Sequence, residues 1–572
     1  MRIGMLTACL TLVFAACGAG QSRTGDRGPV TASPPGASST PERLARSAAW
    51  QQDLEVLLSR VRNIHPAPFA RMTEAEVDAE GRALARAIPA LSDEAIVLGM
   101  MRLMARMTGG HTQLYGATAR TIAPSWYPIR LRPFSDGIAV TAAASEHADL
   151  AGAQVLRIGE LDAQAALDEV MRITPADNDW GRLHRAPYFL MMDWVLSGLG
   201  ITPLKGELSL VVVGPADRPE RTVVLRAVGA SPDDDLSYTS KESVAGGAAA
   251  LGRPTAPAAV PLHLRNPQES LWAEFLPASR TVYAQLERIG SDHDESLGEF
   301  SAQLWALVDS VAAERLVLDL RYARGGNKNL ARPLLHGILA RPHLNQPGRL
   351  FTIIGRETFS AGMMVAMFME EHTNTLFVGE PTGASPNFAS ETLGINLPNS
   401  GLIASVAEWY WVNSVPWDTR AWLEPDVTAA PTIAEYRGGS DPAMDFVLGS
   451  GRDIAMLADS VLELRRRGLN RVKLTHHAIM RDVAAGKPVT ELELRDIGRA
   501  LVGSGDYGMG IELLSAWVAG FPASVDARLA RGAAYLEAGD TARASTDVRQ
   551  ALVLDPGNER AEELLRAIGG RR

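Results

Sequence analysis

RLFTIIGRETFSAGMMVAMFMEEHTNTLFVGEPTG, Arg349–Gly383, is the stretch on which the reading of this chain turns. Leu350-Phe351-Thr352-Ile353-Ile354 is a short apolar, β-branched and aromatic run closed by Gly355, the pattern of a buried strand. Thr358-Phe359-Ser360-Ala361-Gly362 then opens a segment in which Val365, Ala366, Phe368 and Met369 fall at helical spacing. That helix is expected to stop near Thr373-Asn374. Leu376-Phe377-Val378 reads as a second buried strand, leading into the turn Gly379-Glu380-Pro381-Thr382-Gly383. The order strand, serine, helix, strand puts Ser360 at a corner. There a hydroxyl leaves the core, and the unpaired N–H groups of a helix N-terminus face the same space.

Working outward toward the N-terminus, Thr281–Leu286 and 315–320 read as strands flanking a helix from about Asp294 to Val311, a βαβ arrangement. The second strand runs into Asp319-Leu320-Arg321-Tyr322-Ala323-Arg324-Gly325-Gly326-Asn327. Adjacent glycines let the backbone turn sharply and approach a substrate without Cβ interference. Together with Ser360 they supply what acyl transfer requires, a nucleophile and backbone N–H donors from a second loop.

Further upstream, Leu54, Leu57, Leu58 and Val61 give a helical stripe broken at His65-Pro66. Two more helices follow, one over Ala75–Ala87 and one from Ser92, its N-cap, to about Met107. This N-terminal helical module, 46–115, ends at Gly109-Gly110-His111-Thr112, which holds His111 in a loop. The segment 126–229 is β-rich. Its Val155–Asp162 stretch, followed by a helix from Ala163, resembles the strand-turn-helix of PDZ domains, and the resemblance implies peptide capture by strand addition. A Gly-, Ala-, Ser- and Pro-rich linker covers 230–262.

At the N-terminus, Arg2, an apolar run to Phe14 and Ala15-Ala16 before Cys17 resemble a bacterial lipoprotein signal, 1–17. The resemblance implies export and acylation of Cys17. The expected location is the bacterial cell envelope, on the periplasmic face in a Gram-negative cell, with contact to the membrane through the lipid. Residues 18–45 are expected to be a disordered tether. At the other end, a helical connector, 441–490, precedes 491–572. There Gly505-Asp506 recurs as Gly539-Asp540 and Pro522 as Pro556 at one common offset. This resembles tetratricopeptide repeats, helix pairs that stack into a concave surface suited to a protein partner.

Composition sets limits on function. A net charge of -10 with no long basic stripe excludes a nucleic-acid partner. The chain's 2 cysteines, Cys9 and Cys17, both lie within the signal-like stretch 1–17, so neither a disulfide framework nor a cysteine zinc site is expected. Asp292-His293-Asp294 has diverging side chains and reads as a helix cap; no metal and no cofactor are expected.

Five motifs in order, D-L-R-x-x-x-G-G-N (Asp319–Asn327), T-F-S-A-G (Thr358–Gly362), V-G-E-P-T-G (Val378–Gly383), L-P-N-S-G-L (Leu397–Leu402) and E-P-D-V (Glu424–Val427), resemble the C-terminal-processing and tricorn-core serine peptidase family. Gly110-His111-Thr112 is similar to its exported, tricorn-like branch. The resemblance runs from about Trp50 to Leu448. It implies an α/β fold with a ClpP/crotonase-like peptidase core, 263–440, and a peptide or protein substrate. It further implies Ser360 as nucleophile and an oxyanion hole from the amides of Ala361 and of Gly325 or Gly326. Where the processing branch has a catalytic lysine after G-E-P-T, this chain has Ser385, so His111 is expected to be the general base. Asp418 and Glu424 are both candidates for the acid that orients it. The loop Pro386-Asn387-Phe388-Ala389-Ser390 lacks the His-Tyr found after P-N in close relatives. The alternative to a serine endopeptidase is therefore a catalytically silent adaptor that binds peptides or apolar ligands. Trp409, Tyr410, Trp411, Trp417 and Trp422 are expected to serve packing.

Overall fold

The computed structural model describes residues 40–214, 219–229, 260–267, 269–290, 296–414, 418–449, 480, 483, 491–503 and 505–570. The signal with Cys17, most of the tether, most of the linker and connector, the Asp292–Asp294 cluster and Trp417 lie outside the described residues. The first helix, Thr40–Ile64, begins inside the stretch assigned to the tether, with Pro41 and Glu42 in its first turn, where proline's fixed φ and an acid both favour helix.

Helices Glu74–Ala87 and Asp93–Met107 follow. Thr73 and Glu76 form a reciprocal capping box on one, and Ser92 accepts from Ala95 N on the other at 3.2 Å. The apolar stripes of these three helices, Leu57, Val61, Val77, Ile96, Met100 and Met104, share one core with Leu131, Val140, Ile158 and Leu210 of the β-rich segment. The two N-terminal modules therefore bury their hydrophobic faces against each other. In the β-rich segment an antiparallel sheet runs in the order Ile129–Phe134, Gly137–Ala143, Gln154–Ile158, Glu207–Val213, Glu220–Arg226. Helix Ala163–Met171 follows the expected turn.

The sheet that carries Ser360 has strand order Leu271–Leu276, Thr281–Leu286, Arg315–Asp319, Leu350–Ile354, Leu376–Gly379, Val427–Thr428. Every pair is parallel except the first. Parallel strands are covered on both faces, which is why these runs are almost continuously apolar. Leu316, Leu318, Leu350 and Phe377 meet helices Leu297–Ser310, Arg332–Leu339 and Ala361–His372. The alternate residues Val317, Phe351, Ile353 and Val378 meet Met444 and Val447. Helix Pro442–Leu448, read from sequence as the start of the connector, thus belongs to this core.

Two of the quoted motifs turn out to hold the fold. Asp319 and Arg321 of D-L-R join a buried network: Arg321 donates to both oxygens of Asp441 at 3.0 and 3.1 Å, and Tyr283 donates to Asp319 at 2.6 Å. His263 Nδ1 is 2.8 Å from Asp441. L-P-N-S-G-L is the turn between strands Phe388–Asn396 and Ile403–Trp411. Asp53 of the first helix anchors it by accepting from Asn399 N at 3.0 Å and Ser400 N at 2.7 Å. Gln113–Tyr115, directly after Gly110-His111-Thr112, pairs with Ile403–Trp411 and so ends in a sheet, not in the helical bundle.

At the C-terminus, Glu491–Gly503, Tyr507–Gly520, Val525–Glu537, Thr541–Leu554 and Glu559–Gly570 are helices packed on their neighbours through Leu501, Leu513, Trp517, Ala534, Val548 and Ala561. The turns at Gly505 and Gly539 share φ +85°. No helix among the described residues is long and apolar enough to cross a membrane.

Candidate active site

Ser360 sits between strand and helix in the conformation φ +53°, ψ -125°. A non-glycine residue held there stores about 1–3 kcal/mol of strain, so its surroundings must impose it. They do so from both sides. Thr358 Oγ1 donates to Leu320 O at 2.8 Å and accepts from Gly355 N at 3.0 Å. Phe359 N donates to Ala323 O at 3.0 Å, and Met364 N to Ser360 O at 3.1 Å. The corner is thereby tied to the end of the neighbouring strand.

The glycine loop lies against the serine. Gly325 has φ +143°, and a Cβ built on it would fall 2.8 Å from Ser360 Cβ and 3.1 Å from Oγ. Gly325 O accepts from Ile289 N at 2.8 Å and Asn327 N donates to Ile289 O at 2.6 Å, which pins the loop from behind. Among the described residues, the N–H groups of Gly325, Gly326 and Ala361 donate to no backbone carbonyl. Such orphan donors at a helix start and a left-handed loop are chemically able to face an oxyanion.

His111 arrives from the other side. Its ring stacks on Phe359, the residue before Ser360, with centroids 4.3 Å apart, and lies parallel to Phe388 at 5.4 Å. The loop that carries it is clamped: Gly110 N donates to Asp177 Oδ1 at 2.7 Å, and Arg185 Nη1 donates to Gly110 O at 2.6 Å. The Arg185 guanidinium also covers Phe359 at 4.5 Å. Thr112 Oγ1 accepts from Ala407 N at 2.9 Å, fixing the loop's exit. Burial and, secondarily, Arg185 lower the His111 pKa to about 3, so the imidazole is neutral. Its Nδ1 is buried without a hydrogen-bond partner.

Neither expected orienting acid reaches that nitrogen. Asp418 is taken by Arg420, which donates to it through Nε at 3.0 Å and continues to Glu370 at 3.0 and 2.9 Å. Glu424 accepts from the Trp422 indole N–H two residues away. Ser385 donates to Ala421 O at 2.8 Å. Glu380 of the V-G-E-P-T-G motif receives Arg356 at 2.5 Å.

The sequence reading missed Asp177, Arg185 and Phe388. Asp177 lies in a loop before helix Asp179–Phe189 and Arg185 on that helix, with nothing local to link them to His111. Burial raises the Asp177 pKa, against the pull of Gly110 N, Arg71 and Arg185, and its Oδ2 has no partner. The one available hint was Phe388, which stands in the loop already marked as divergent. Trp409 and Tyr410, expected to pack, are 58% and 52% exposed. A cavity of about 140 Å³ lined by Arg132, His184, Arg356, Glu357 and Glu380 does not include Ser360 in its wall. Among the described residues no three His, Cys, Asp or Glu side chains gather as a metal site.

No protein-family model matches the sequence, and no curated relative does. Among solved structures the chain is similar to mature CPAF, at 11% identity and a TM-score of 0.49, over 73% of this chain and 98% of that one. It is also similar to the photosystem II D1 C-terminal processing protease, at 12% identity and a TM-score of 0.32, over 69% and 98%. With the tricorn protease the identity is 11% and the TM-score 0.30, over 72% of this chain and 37% of that one. These are low-identity likenesses in chain path, and nothing about the site is taken from them.

Proposed function

We propose that this chain is a serine endopeptidase working through an acyl-enzyme. Ser360 Oγ attacks the scissile carbonyl while neutral His111 takes its proton through Nε2. The carbonyl oxygen becomes an oxyanion facing the N–H of Ala361 and of Gly325 or Gly326. His111 then returns the proton to the leaving amine, and water, deprotonated by the same imidazole, releases the acyl group. The observation that carries this reading is the corner itself: a strained serine at a helix start, with glycine backbone against its hydroxyl and unused N–H donors on both sides.

A second reading rests on its own observation. His111 Nδ1 has no acid, and among the described residues no hydrogen bond joins the imidazole to Ser360. A silent, peptide-binding relative would have that arrangement. Fluorophosphonate labelling of the wild type beside Ser360→Ala and His111→Ala separates the two. Labelling of the wild type alone supports the peptidase; no labelling, or equal labelling of all three, sinks it.

The setting is part of the proposal. Export and lipid attachment through Cys17 would hold the protein at the cell envelope, and the C-terminal helices would offer a surface to a protein partner. Incorporation of labelled fatty acid by wild type but not by Cys17→Ser tests the anchor.

A further inference from the structure

Beside the nucleophile helix lies a groove of about 430 Å³. Its floor is apolar, from Met364 and Phe368, which are one turn apart on helix Ala361–His372. Met364 is itself about one turn, about 6 Å of rise, beyond Ser360. The opposite wall is Lys328 and Arg332, from the segment that continues the Gly325-Gly326 loop into helix Arg332–Leu339. The groove is therefore lined by residues that follow Ser360 and the glycine loop directly along the chain.

Its polar groups are left waiting. Lys328 Nζ sits 4.2 Å over the Trp411 ring, and burial lowers its pKa with no carboxylate to offset this. Arg332 donates to Asn329 Oδ1 at 3.2 Å, and among the described residues neither cation forms an ion pair. Asn413 is oriented by its Nδ2 donating to Pro386 O at 3.1 Å, which leaves Oδ1 buried and unpartnered on the groove wall. The single acid of the lining, Glu371, faces His372 at 3.7 Å. A groove with an apolar floor, two unpaired cations and one orphan acceptor complements an extended peptide. The peptide would supply an apolar side chain, a carboxylate and a backbone N–H.

We infer that this groove is a substrate subsite selecting an acidic residue next to an apolar one, with Lys328 and Arg332 receiving the carboxylate and Asn413 the peptide N–H. The inference rests on the reading of Ser360 as the reacting centre, and it assigns that centre a substrate class. Because exposed cations attract weakly and are screened by salt, the preference is expected to be about 5-fold at low ionic strength and smaller at high.

The test is made by binding, so that it does not depend on turnover. Fluorescent peptides differing only as Leu-Glu, Leu-Gln or Leu-Lys are titrated into full-length Ser360→Ala. The expected order is Glu tightest, by about 5-fold over Gln. Lys328→Gln with Arg332→Gln should bring Glu and Gln together, and Arg332→Glu should turn the preference toward Lys. Equal affinity for Glu and Gln peptides in the Ser360→Ala parent, or a Glu preference that survives both sets of changes, overturns the inference. A wild type that resists fluorophosphonate while Ser360→Ala still prefers Glu would overturn the peptidase reading and leave the acid-selective groove standing.

Discussion

Gly325→Ala addresses the geometry on which the functional reading depends. The new methyl would sit 2.8 Å from Ser360 Cβ and 3.1 Å from Oγ, where carbon atoms in contact prefer about 3.5–4 Å. Relief requires a relative shift of roughly 1 Å between the loop and the serine, and misplacement on that scale costs about 100-fold in rate. An L-residue at φ +143° adds about 1–3 kcal/mol of backbone strain, which turns the loop and its N–H away. Losing one oxyanion donor alone costs about 100- to 1000-fold in kcat. The expected result is a fall in kcat/KM, and in the rate of fluorophosphonate labelling, of at least about 100-fold, with a modest loss in Tm. Gly326→Ala is the contrasting variant. Its methyl would land 2.0 Å from Ile289 O, a backbone atom that cannot swing aside, so its main effect is expected on stability. If Gly325→Ala kept kcat/KM within about 3-fold of wild type, the loop would not be part of an oxyanion hole and the mechanism would lose its electrostatic half.

Three further outcomes follow from the same geometry. Asp441→Ala removes the carboxylate on which Arg321 and His263 converge, leaving the buried Arg321 guanidinium with Asp319 as its remaining carboxylate; a loss of about 1.5–3 kcal/mol is expected in urea unfolding, and a loss under 1 kcal/mol would refute the network's role. Asp177→Ala leaves the buried Gly110 N without its acceptor, so about 1–3 kcal/mol of stability should go, together with slower labelling of Ser360 as the His111 loop loosens. Acid should destabilise the fold: burial lowers the folded pKa of His111 to about 3 and that of His184 well below its ordinary value. The unfolded chain then binds protons first. This stability is complete above about pH 6.5 and fades as pH falls toward the folded values, by up to about 1.4 kcal/mol per pH unit for each group. Urea midpoints measured from pH 7 to 4 check the sign, and a flat profile would contradict it.

The strands and helices of the central sheet were readable because their signal is local. Leu350–Ile354 and Leu376–Gly379 are buried on both faces and so consist of apolar residues, and helix Asp93–Met107 announces its start with Ser92. The meeting of Ser360 with Gly325 was also foreseeable, because adjacent parallel strands bring their C-terminal loops together. What one sequence cannot display is a contact between side chains from separate elements. Arg420 could pair with Asp418 two residues away, and that pairing removes Asp418 from His111. The clamp on Gly110 comes from Asp177 and Arg185, whose neighbours in sequence mark only a loop and a helix. Trp409 and Tyr410 looked like core by residue type, yet they lie on the strand Ile403–Trp411 with open faces.

Several of the chain's departures from low-energy structure lie in Ser360 and the loops described with it. The serine itself is at positive φ, Gly325 and Gly326 sit at +143° and +133°, and His111 Nδ1 and Asp177 Oδ2 are buried without partners. Each unpaired atom costs about 1–3 kcal/mol, which a fold of marginal stability does not retain without compensation. Packing supplies part of that compensation, since Phe359 and Phe388 fix the imidazole plane and Arg185 fixes both Phe359 and Gly110. Ser385 is turned to Ala421 O, and the proposed mechanism therefore takes its base from an imidazole so held. A histidine positioned by ring stacking and loop anchoring, without a carboxylate on Nδ1, has its orientation set but its basicity left low. Substitution of Phe388 should therefore lower kcat more than it raises KM, because it frees the ring that has to meet Ser360 in the transition state. Phe388→Ala with unchanged kcat would show that stacking does not orient the base.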